Sequence, residues 1–192
     1  MEFDNSFDVP LPPAKAWALL MDIPRIAPCM PGAQLTEIVD SQNFKGKIAV
    51  RLGPVALTFD GRVAFEGIDD ANHTARVRAQ GSDAKGRGAA NATATFRIEP
   101  AATGSKVLIH TDLTLSGAVA QYGRGVGMIQ ATAAQLVGQF ADNLRTQLVQ
   151  ERSVTRHDAP PAPPAAKPIS GLWLFIRVIW SRVGALFSGR RI

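Results

Sequence analysis

Side chains that commonly perform chemistry are few and scattered in this sequence. The three histidines, His73, His110 and His157, fall in a predicted turn, strand and linker, and no Glu-x-x-His or His-x-x-x-His pair places two metal ligands on one helix. The single cysteine, Cys29, cannot form an intramolecular disulfide or a cysteine-rich zinc site, and it is typical of a small buried side chain in a reducing compartment. We therefore expect neither a metal site nor a catalytic residue of these types.

The glycine-containing motifs that position nucleophiles or phosphates do not occur either. The sequence contains no Gly-x-Ser-x-Gly, no P-loop and no dinucleotide-binding fingerprint that follows a strand. Gly123, Gly125 and Gly127 form a Gly-x-Gly-x-Gly run, but its spacing and its position outside a βαβ unit favour a bend from the last strand into a helix. We expect a protein that is not an enzyme.

One pair of residues beside this bend could bind a ligand. Tyr122 is the only tyrosine, and its phenol could hydrogen-bond a ligand carbonyl at the mouth of a cavity. Arg124, two residues further on, could supply a charge-assisted donor. The alternative is that Tyr122 packs its ring and directs its hydroxyl to solvent.

The sequence predicts one long amphipathic helix from Gly123 to Gln150. Apolar residues recur there at three- and four-residue spacing, whereas the glutamines lie mostly off this stripe. The stripe consists of Val126, Ile129, Ala133, Leu136, Val137, Phe140, Leu144 and Leu148. Because strand-like segments precede the helix, we expect a sheet to cover this face.

The first nine residues predict a strand and not a signal peptide. Phe3, Asn5, Phe7 and Val9 alternate with polar or acidic residues. The segment has an acidic start and lacks both a basic and an apolar region of the kind that directs export. We therefore expect the protein in the cytoplasm or on the cytoplasmic face of a membrane.

Six further strands are predicted after a short helix from Ala14 to Met21. Short turns rich in Gly, Asp and Asn separate them, which favours successive hairpins. The predicted strands are Gln34–Val39, Phe44–Leu52, Val55–Ile68, Thr74–Gln80, Arg87–Glu99 and Lys106–Ser116. The fold class is therefore α+β, with a curved, seven-stranded antiparallel sheet wrapped around the long C-terminal helix.

Small side chains are frequent in these strands. We expect the following alanines to face one side: Ala49, Ala56, Ala64, Ala75, Ala79, Ala90, Ala92 and Ala94. A sheet with so many small side chains does not fill its own concave face. We favour a cavity between sheet and helix, and the alternative is close packing of the helix on the sheet.

The positive charge is confined to the end of the chain. Residues 1–150 carry 14 basic and 14 acidic residues, whereas residues 151–192 carry seven basic and two acidic residues. A nucleic-acid-binding domain would carry a basic stripe on its folded part. We therefore do not expect nucleic acid as a partner.

The C-terminal part has two predicted sections. Residues 151–168 form a Pro/Ala-rich linker, and residues 169–192 form an amphipathic helix. Its predicted membrane-binding residues are Leu172, Trp173, Ile176, Arg177, Ile179, Trp180, Arg182, Val183, Leu186 and Phe187. Arg177 and Arg182 favour a helix that lies in the membrane interface, because each would cost about 2.5–3.5 kcal/mol at the bilayer centre. A membrane span and docking on a partner protein remain the alternatives.

Four sequence stretches resemble a known family. They are Phe7-Asp8-Val9-Pro10, the Ala-Trp-Ala-Leu-Leu-Met-Asp run ending at Asp22, the turn from Cys29 to Ala33, and Tyr122-Gly123-Arg124. On these residues, the domain of residues 1–150 resembles the carbon monoxide dehydrogenase G-subunit (CoxG) family of the START/Bet v 1-like (SRPBCC) superfamily. The resemblance implies a helix-grip fold over a hydrophobic ligand cavity. It also implies a role accessory to a membrane-associated molybdenum hydroxylase.

The resemblance and the helix pattern together give a set of candidate cavity residues. They are Phe7, Trp17, Met30, Tyr122, Arg124, Val126, Ile129, Ala133, Leu136, Val137 and Phe140. With no covalently bound cofactor expected, the carried ligand would be a lipophilic molecule such as a respiratory quinone. The partners would be membrane lipid and a carbon monoxide dehydrogenase-type enzyme. Two alternatives are a membrane scaffold without a ligand and a small-molecule-transforming enzyme of the same superfamily.

Overall fold

A computed structural model describes the backbone of residues 1–124 and 126–157, with the side chains of residues 1–121 and 127–151. The elements are β1 (Glu2–Val9), α1 (Pro13–Leu20), α2 (Ile23–Ile26), a 3₁₀ turn (Ala27–Cys29), β2 (Ala33–Ile38), β3 (Asn43–Leu52), β4 (Val55–Asp69), β5 (Thr74–Asp83), β6 (Gly88–Ala101), β7 (Gly104–Gly117), a 3₁₀ segment (Ala118–Arg124) and α3 (Val126–His157). The predicted α+β fold, with seven strands before one long helix, is confirmed.

The strands form one antiparallel sheet in the order β1-β7-β6-β5-β4-β3-β2. Strands β2 to β7 follow one another as hairpins, and β1 pairs with β7 along its whole length, from Glu2 opposite Asp112 to Val9 opposite Ser105. In β1 the predicted alternation holds, since Phe7 and Val9 are buried while Asp4 and Asp8 are exposed. One face of the sheet, here called the inner face, therefore carries the apolar residues of each strand.

Three of the eight alanines predicted for that face lie on the outer face. Ala49 sits between Ile48 and Val50, which point inward, and in β4 the inward residues are the odd-numbered ones such as Leu57, so Ala56 and Ala64 point outward. The prediction was wrong for these three because it did not fix the register of each strand. The alanines that do belong to the inner face are Ala75, Ala79, Ala90, Ala92 and Ala94.

A row of glycines crosses the middle of the sheet. Gly46 of β3 pairs with Gly61 of β4, and Gly61 pairs in turn with Gly81 of β5. A Cβ atom at Gly61 would lie 2.3 Å from the carbonyl oxygen of Gln80, and one at Gly46 would lie 2.7 Å from that of Gln34. Neighbouring strands approach each other here more closely than side chains allow, so the glycine row is where the sheet can curl.

Helix α3 lies with its apolar stripe towards the inner face. Ile129, Phe140, Leu144 and Leu148 are buried, as the helical spacing predicted. The rings of Phe140 and Phe7 meet edge to face, with centroids 5.5 Å apart. Burial of this stripe is the main apolar contribution of the helix to stability.

Polar contacts fix the C-terminal half of α3 against the start of the chain. The side-chain amide of Asn143 donates to the Cys29 carbonyl oxygen at 2.9 Å, and the Cys29 thiol lies 2.9 Å from Oε1 of Gln147. Arg145 donates to the carbonyl oxygen of Asp8 at 3.1 Å. Burial raises the pKa of the Cys29 thiol, so this cysteine is a structural hydrogen-bond donor in its neutral form.

The bounds of the long helix differ from the prediction. It begins at Val126 and ends at His157, whereas Gly123 to Gln150 was predicted. Gly123 belongs to the preceding 3₁₀ segment. At the other end, the ion pair between Arg25 and Glu151 favours continuation of the helix, and the first proline follows only at position 160. The first seven residues of the predicted linker, 151–168, are therefore helical.

The rest of the C-terminal predictions fall outside the described residues. This applies to the linker from residue 158 onward and to the predicted membrane helix of residues 169–192, including Leu172, Trp173, Ile176, Arg177, Ile179, Trp180, Arg182, Val183, Leu186 and Phe187. Among the helices that the structure describes, none combines the length and the apolar composition that a membrane span requires.

An ion pair fixes the turn between β5 and β6. Asp83 is buried and accepts hydrogen bonds from Nε and Nη2 of Arg87, both at 2.8 Å, which hold the pKa of its carboxyl well below the usual range. Arg87 also donates to the Ala56 carbonyl oxygen, and its own carbonyl accepts from the Val119 amide. The pair thus connects β4 and the β5–β6 turn to the 3₁₀ segment that leads into α3.

Replacing a glycine of the central row by alanine is expected to destabilise the fold. In Gly61→Ala the new methyl group meets the Gln80 carbonyl, and the strain should lower the free energy of unfolding by about 1–3 kcal/mol. The matched control is Gly67→Ala in the same strand, where a Cβ has no neighbour within 4 Å. We expect that variant to stay within about 1 kcal/mol of wild type. Urea denaturation measures both, and equal stabilities of the two variants would contradict the role of the row.

Candidate ligand cavity

A cavity of about 540 Å³ lies between the inner face of the sheet and α3. Two packed clusters flank it. The larger cluster includes Trp17, Phe44 and the C-terminal half of α3 with Leu144, and the smaller one includes Leu57 and Val119. The cavity therefore lies between the sheet and the N-terminal half of α3, which contributes Ile129, Ala133 and Leu136 to its wall. Its size falls within the range of about 300–1,000 Å³ that is common for small-molecule sites.

Apolar side chains form most of the cavity wall. The sheet contributes residues from β1 and from β3 to β7, and α3 contributes one face. These apolar residues are Phe3, Met30, Ile48, Val50, Leu52, Phe59, Val63, Ala79, Ala90, Ala92, Ile109, Leu113, Leu115, Val119, Ile129, Ala133, Leu136 and Val137. A wall of this composition favours an apolar ligand body.

Backbone forms the wall at the glycine row. Gly46, Gly61 and Gly81 all line the cavity, and so does one chain neighbour of each, namely Lys47, Arg62 and Gln80. Two of those neighbours are charged, but their side chains are engaged on the outer face: Lys47 pairs with Asp60, and Arg62 donates to Gln80. Because the three glycines have no side chains, they leave space in the cavity. The charged side chains of Lys47 and Arg62 do not point into it.

In the described part of the chain, three polar side chains lie on the inner side of the cavity wall. Thr132 of α3 donates its hydroxyl to the Met128 carbonyl oxygen at 2.9 Å, so its hydrogen bond is made within the helix. Asn5 of β1 and Thr111 of β7 make no side-chain hydrogen bond to any residue that the structure describes. Among the described side chains of the wall, these two are the neutral polar groups available to a ligand.

Five of the predicted site residues lie in this wall. One comes from the turn before β2 and four from α3: Met30, Ile129, Ala133, Leu136 and Val137. Whether they contact a ligand remains a prediction. The four residues from α3 belong to the same apolar stripe as the core residues of that helix. The spacing of the stripe is the same in the part that packs in the core and in the part that lines the cavity.

Three other predicted residues lie in the packed core and do not line this cavity. Phe7 and Phe140 pack against each other, and Trp17 donates its indole N–H to Asp70 at 2.7 Å while its ring packs near Phe96. The assignment of these three to the cavity wall is corrected on this basis. Sequence spacing places a residue on the inner face, but the position along the strand or helix decides between core and cavity.

The side chains of Tyr122, Arg124 and Val126 lie outside the described residues. The backbone places Tyr122 and Arg124 in the 3₁₀ segment and Val126 at the first position of α3. Their proposed part in ligand binding therefore remains a prediction from the sequence.

Sequence reasoning missed Asn5 and Thr111 as site residues. A signal for Asn5 was present, because it is the one polar residue in the inward positions of an otherwise apolar strand. Thr111 holds the equivalent place in β7, between Ile109 and Leu113. Such a polar residue in an apolar series is a candidate ligand contact only once a cavity is known to lie beside it.

The histidines with described side chains serve structure, one on the outer face of the sheet and one in a turn. His110 pairs with Asp4 at 2.8 Å across β7 and β1, and this carboxylate raises the pKa of the imidazole. His73 lies in the β4–β5 turn with a positive φ of 48° and packs near Trp17. Among the described residues, no cluster of three or more His, Cys, Asp or Glu could hold a metal ion.

The sequence matches the model of one protein family over most of the domain. Residues 6–149 match CoxG, the G subunit of carbon monoxide dehydrogenase. This chain belongs to the CoxG family. The match runs from the middle of β1 to the C-terminal half of α3, so it covers all cavity-lining residues except Phe3 and Asn5 of β1. Among curated proteins, none is detectably similar to this CoxG-family chain in sequence.

Solved structures confirm the helix-grip fold, a curved antiparallel sheet around one long helix. A conserved protein from Geobacillus kaustophilus has a TM-score of 0.67 at 18% identity, with 79% of this chain and 97% of that chain covered. The Zhui aromatase/cyclase from Streptomyces sp. R1128 has a TM-score of 0.54 at 14% identity, with 80% and 95% covered. At these identities the likeness concerns the fold.

Alanine substitutions at two leucines of α3 should destabilise the fold to different extents, because one leucine packs in the core and the other faces the cavity. Leu144→Ala removes a fully packed side chain and should lower the free energy of unfolding of the ligand-free protein by about 2.7–5 kcal/mol. Leu136→Ala removes a side chain that already faces a cavity, so the loss should be about half of that or less. Urea denaturation of both variants measures the difference. Equal losses would indicate that α3 packs on the sheet along its whole length.

Proposed function

We propose that this CoxG-family protein is a non-catalytic accessory protein that carries a lipophilic ligand, such as a respiratory quinone, for a carbon monoxide dehydrogenase-type molybdenum hydroxylase. The apolar cavity between the glycine row and α3 is the observation that carries this proposal. The family assignment supplies the class of partner enzyme. Such an enzyme delivers electrons, and a bound quinone would be a suitable acceptor.

The chemistry of the cavity supports a carrier more than a catalyst. Among the described residues, the polar side chains that face the ligand space are an amide and hydroxyls, those of Asn5, Thr111 and Thr132. Such groups orient a ligand by hydrogen bonds, but they do not exchange protons near neutral pH as a general acid or base must. The protein would therefore bind its ligand and present it without transforming it.

The C-terminal tail provides the proposed membrane contact. Its sequence combines an apolar stripe containing Trp173 and Trp180 with the basic residues Arg177 and Arg182. Tryptophan suits the membrane interface, and each basic residue near an anionic leaflet contributes about 1 kcal/mol to binding. We propose that this helix holds the protein at the cytoplasmic face of the membrane, where it loads its ligand and recruits the enzyme.

Mass spectrometry of organic extracts tests the ligand. We expect the purified full-length protein to be enriched in a quinone relative to the membrane of the host. Ala92→Phe places a large ring inside the cavity and should reduce the extracted quinone by about tenfold, since overpacking of this kind costs about 1–3 kcal/mol. The matched control is Asn91→Phe, in which the same ring lies on the outer face one residue earlier.

Two outcomes would contradict the ligand proposal. Extracts that match the bulk lipids of the host membrane would favour a scaffold without a specific ligand. Equal extraction by Ala92→Phe and Asn91→Phe would show that the quinone binds elsewhere on the protein.

Cell fractionation tests recruitment separately. In cells that produce the protein without residues 169–192, the partner hydroxylase should move from the membrane fraction to the soluble fraction. Replacement of both Arg177 and Arg182 by glutamate should give a smaller shift in the same direction, because it removes the attraction to anionic lipid but keeps the apolar stripe. Hydroxylase that stays on the membrane without the tail would contradict this part of the proposal.

A further inference from the structure

Two neutral polar side chains interrupt the apolar wall of the cavity at one place. Asn5 and Thr111 lie on neighbouring strands, β1 and β7, and both point to the inner face. From their position we infer that they form a polar anchor that selects neutral ligands carrying a ring carbonyl or hydroxyl group. This inference rests on the proposed carrier function and names the groups by which the cavity would choose its ligand.

The register of the sheet brings the two side chains together. Asn5 is opposite Ile109, and Thr111 is opposite Phe3, so Asn5 and Thr111 are diagonal neighbours on one face. Diagonal neighbours in an antiparallel pair lie about 7–8 Å apart, which long side chains or a bound group can span. One oxygen of a ligand placed between them could therefore contact both.

The surroundings of the pair make its hydrogen bonds selective. Phe3 and Ile109 lie beside Asn5 and Thr111 in the same wall, and Ala94 is the neighbour of Thr111 in β6. A ligand that covers the pair separates it from water, and each polar group then loses hydrogen bonds unless the ligand replaces them. A hydrocarbon cannot replace them, whereas a carbonyl oxygen can accept from the Asn5 amide or the Thr111 hydroxyl.

The same pair accommodates both oxidation states of a quinone. The Asn5 amide offers N–H donors and a carbonyl acceptor, and the Thr111 hydroxyl can donate or accept. A quinone would accept hydrogen bonds from the pair, and the corresponding quinol could donate to it. The anchor would thus hold the ligand before and after its reduction without any change in protein charge.

The charges of the described side chains disfavour anionic lipids at this anchor. Among the described residues that line the cavity, the cationic ones are Lys47 and Arg62, and their side chains are engaged on the outer face of the sheet with Asp60 and Gln80. A fatty-acid carboxylate at the anchor would therefore be buried without a counter-charge from the described side chains, which is strongly unfavourable. We expect selection for neutral oxygen-bearing rings over both hydrocarbons and carboxylates.

A pair of matched probes tests the anchor on the full-length protein after removal of bound lipid. Duroquinone is a fully substituted quinone that does not add to thiols, and durene is the same ring without oxygen. Displacement of the hydrocarbon dye diphenylhexatriene measures the affinity of each. Asn5→Leu and Thr111→Val should each weaken duroquinone binding by about three- to tenfold, the value of one hydrogen bond, and leave durene binding unchanged.

Control variants carry the same substitutions on the outer face. Asn91→Leu in β6 and Thr114→Val in β7 lie at exposed positions and should bind both probes as wild type does. Thr111→Ser keeps the hydroxyl and should retain duroquinone affinity. If Asn5→Leu does not fold, the two variants at position 111 still decide the question.

The outcomes separate a failure of the anchor from a failure of the carrier function. Duroquinone binding that is unchanged in Thr111→Val would overturn the anchor while the carrier function stands. Equal weakening of both probes would overturn it as well, since the residue would then act on cavity shape alone. Wild-type protein that binds neither probe would contradict the carrier function itself.

Discussion

The inner face of the sheet lacks side-chain volume where three glycines pair across neighbouring strands. Gly46, Gly61 and Gly81 allow β3, β4 and β5 to approach closely, as a Cβ at Gly61 would lie 2.3 Å from a backbone oxygen. The same glycines leave the curled sheet without the side chains that would fill its concave side. The alanines on β5 and β6 have small side chains and leave further space on the same face. A helix laid across such a surface can pack only at the ends of the sheet, and a cavity remains in the middle.

The position of α3 is determined by the bulky side chains and the hydrogen-bond acceptors at one end of the sheet. Phe7, Phe44 and Trp17 supply the bulk at one end, and the C-terminal half of the helix packs there with Leu144. Hydrogen bonds from Asn143 and Arg145 to backbone carbonyls near the start of the chain fix its direction. The N-terminal half then spans the cavity with the same apolar stripe. One continuous sequence pattern therefore serves stability in one half of the helix and forms the wall of a ligand site in the other.

Much of this fold could be predicted from the sequence, because periodicity reports local structure directly. All seven strands and the stripe of α3 follow from alternation and helical spacing, with ends that differ by a few residues. Features that depend on tertiary contacts could not be predicted from periodicity. The pairing of Arg25 with Glu151 extends the helix beyond Gln150, and the register of β3 and β4 sends Ala49 outward. Likewise, Trp17 belongs to the core and Asn5 to the cavity, although both have inward patterns.

The central claim is that the curled sheet and α3 enclose a space for a neutral lipophilic ligand. The most direct measurement is the electron density of the full-length protein, crystallised as purified from cells without removal of lipid. The account predicts continuous density of a ring and an apolar chain between the glycine row and Leu136, with an oxygen near Asn5 and Thr111. A helix that packs directly on Gly61, with no space between them, would contradict it.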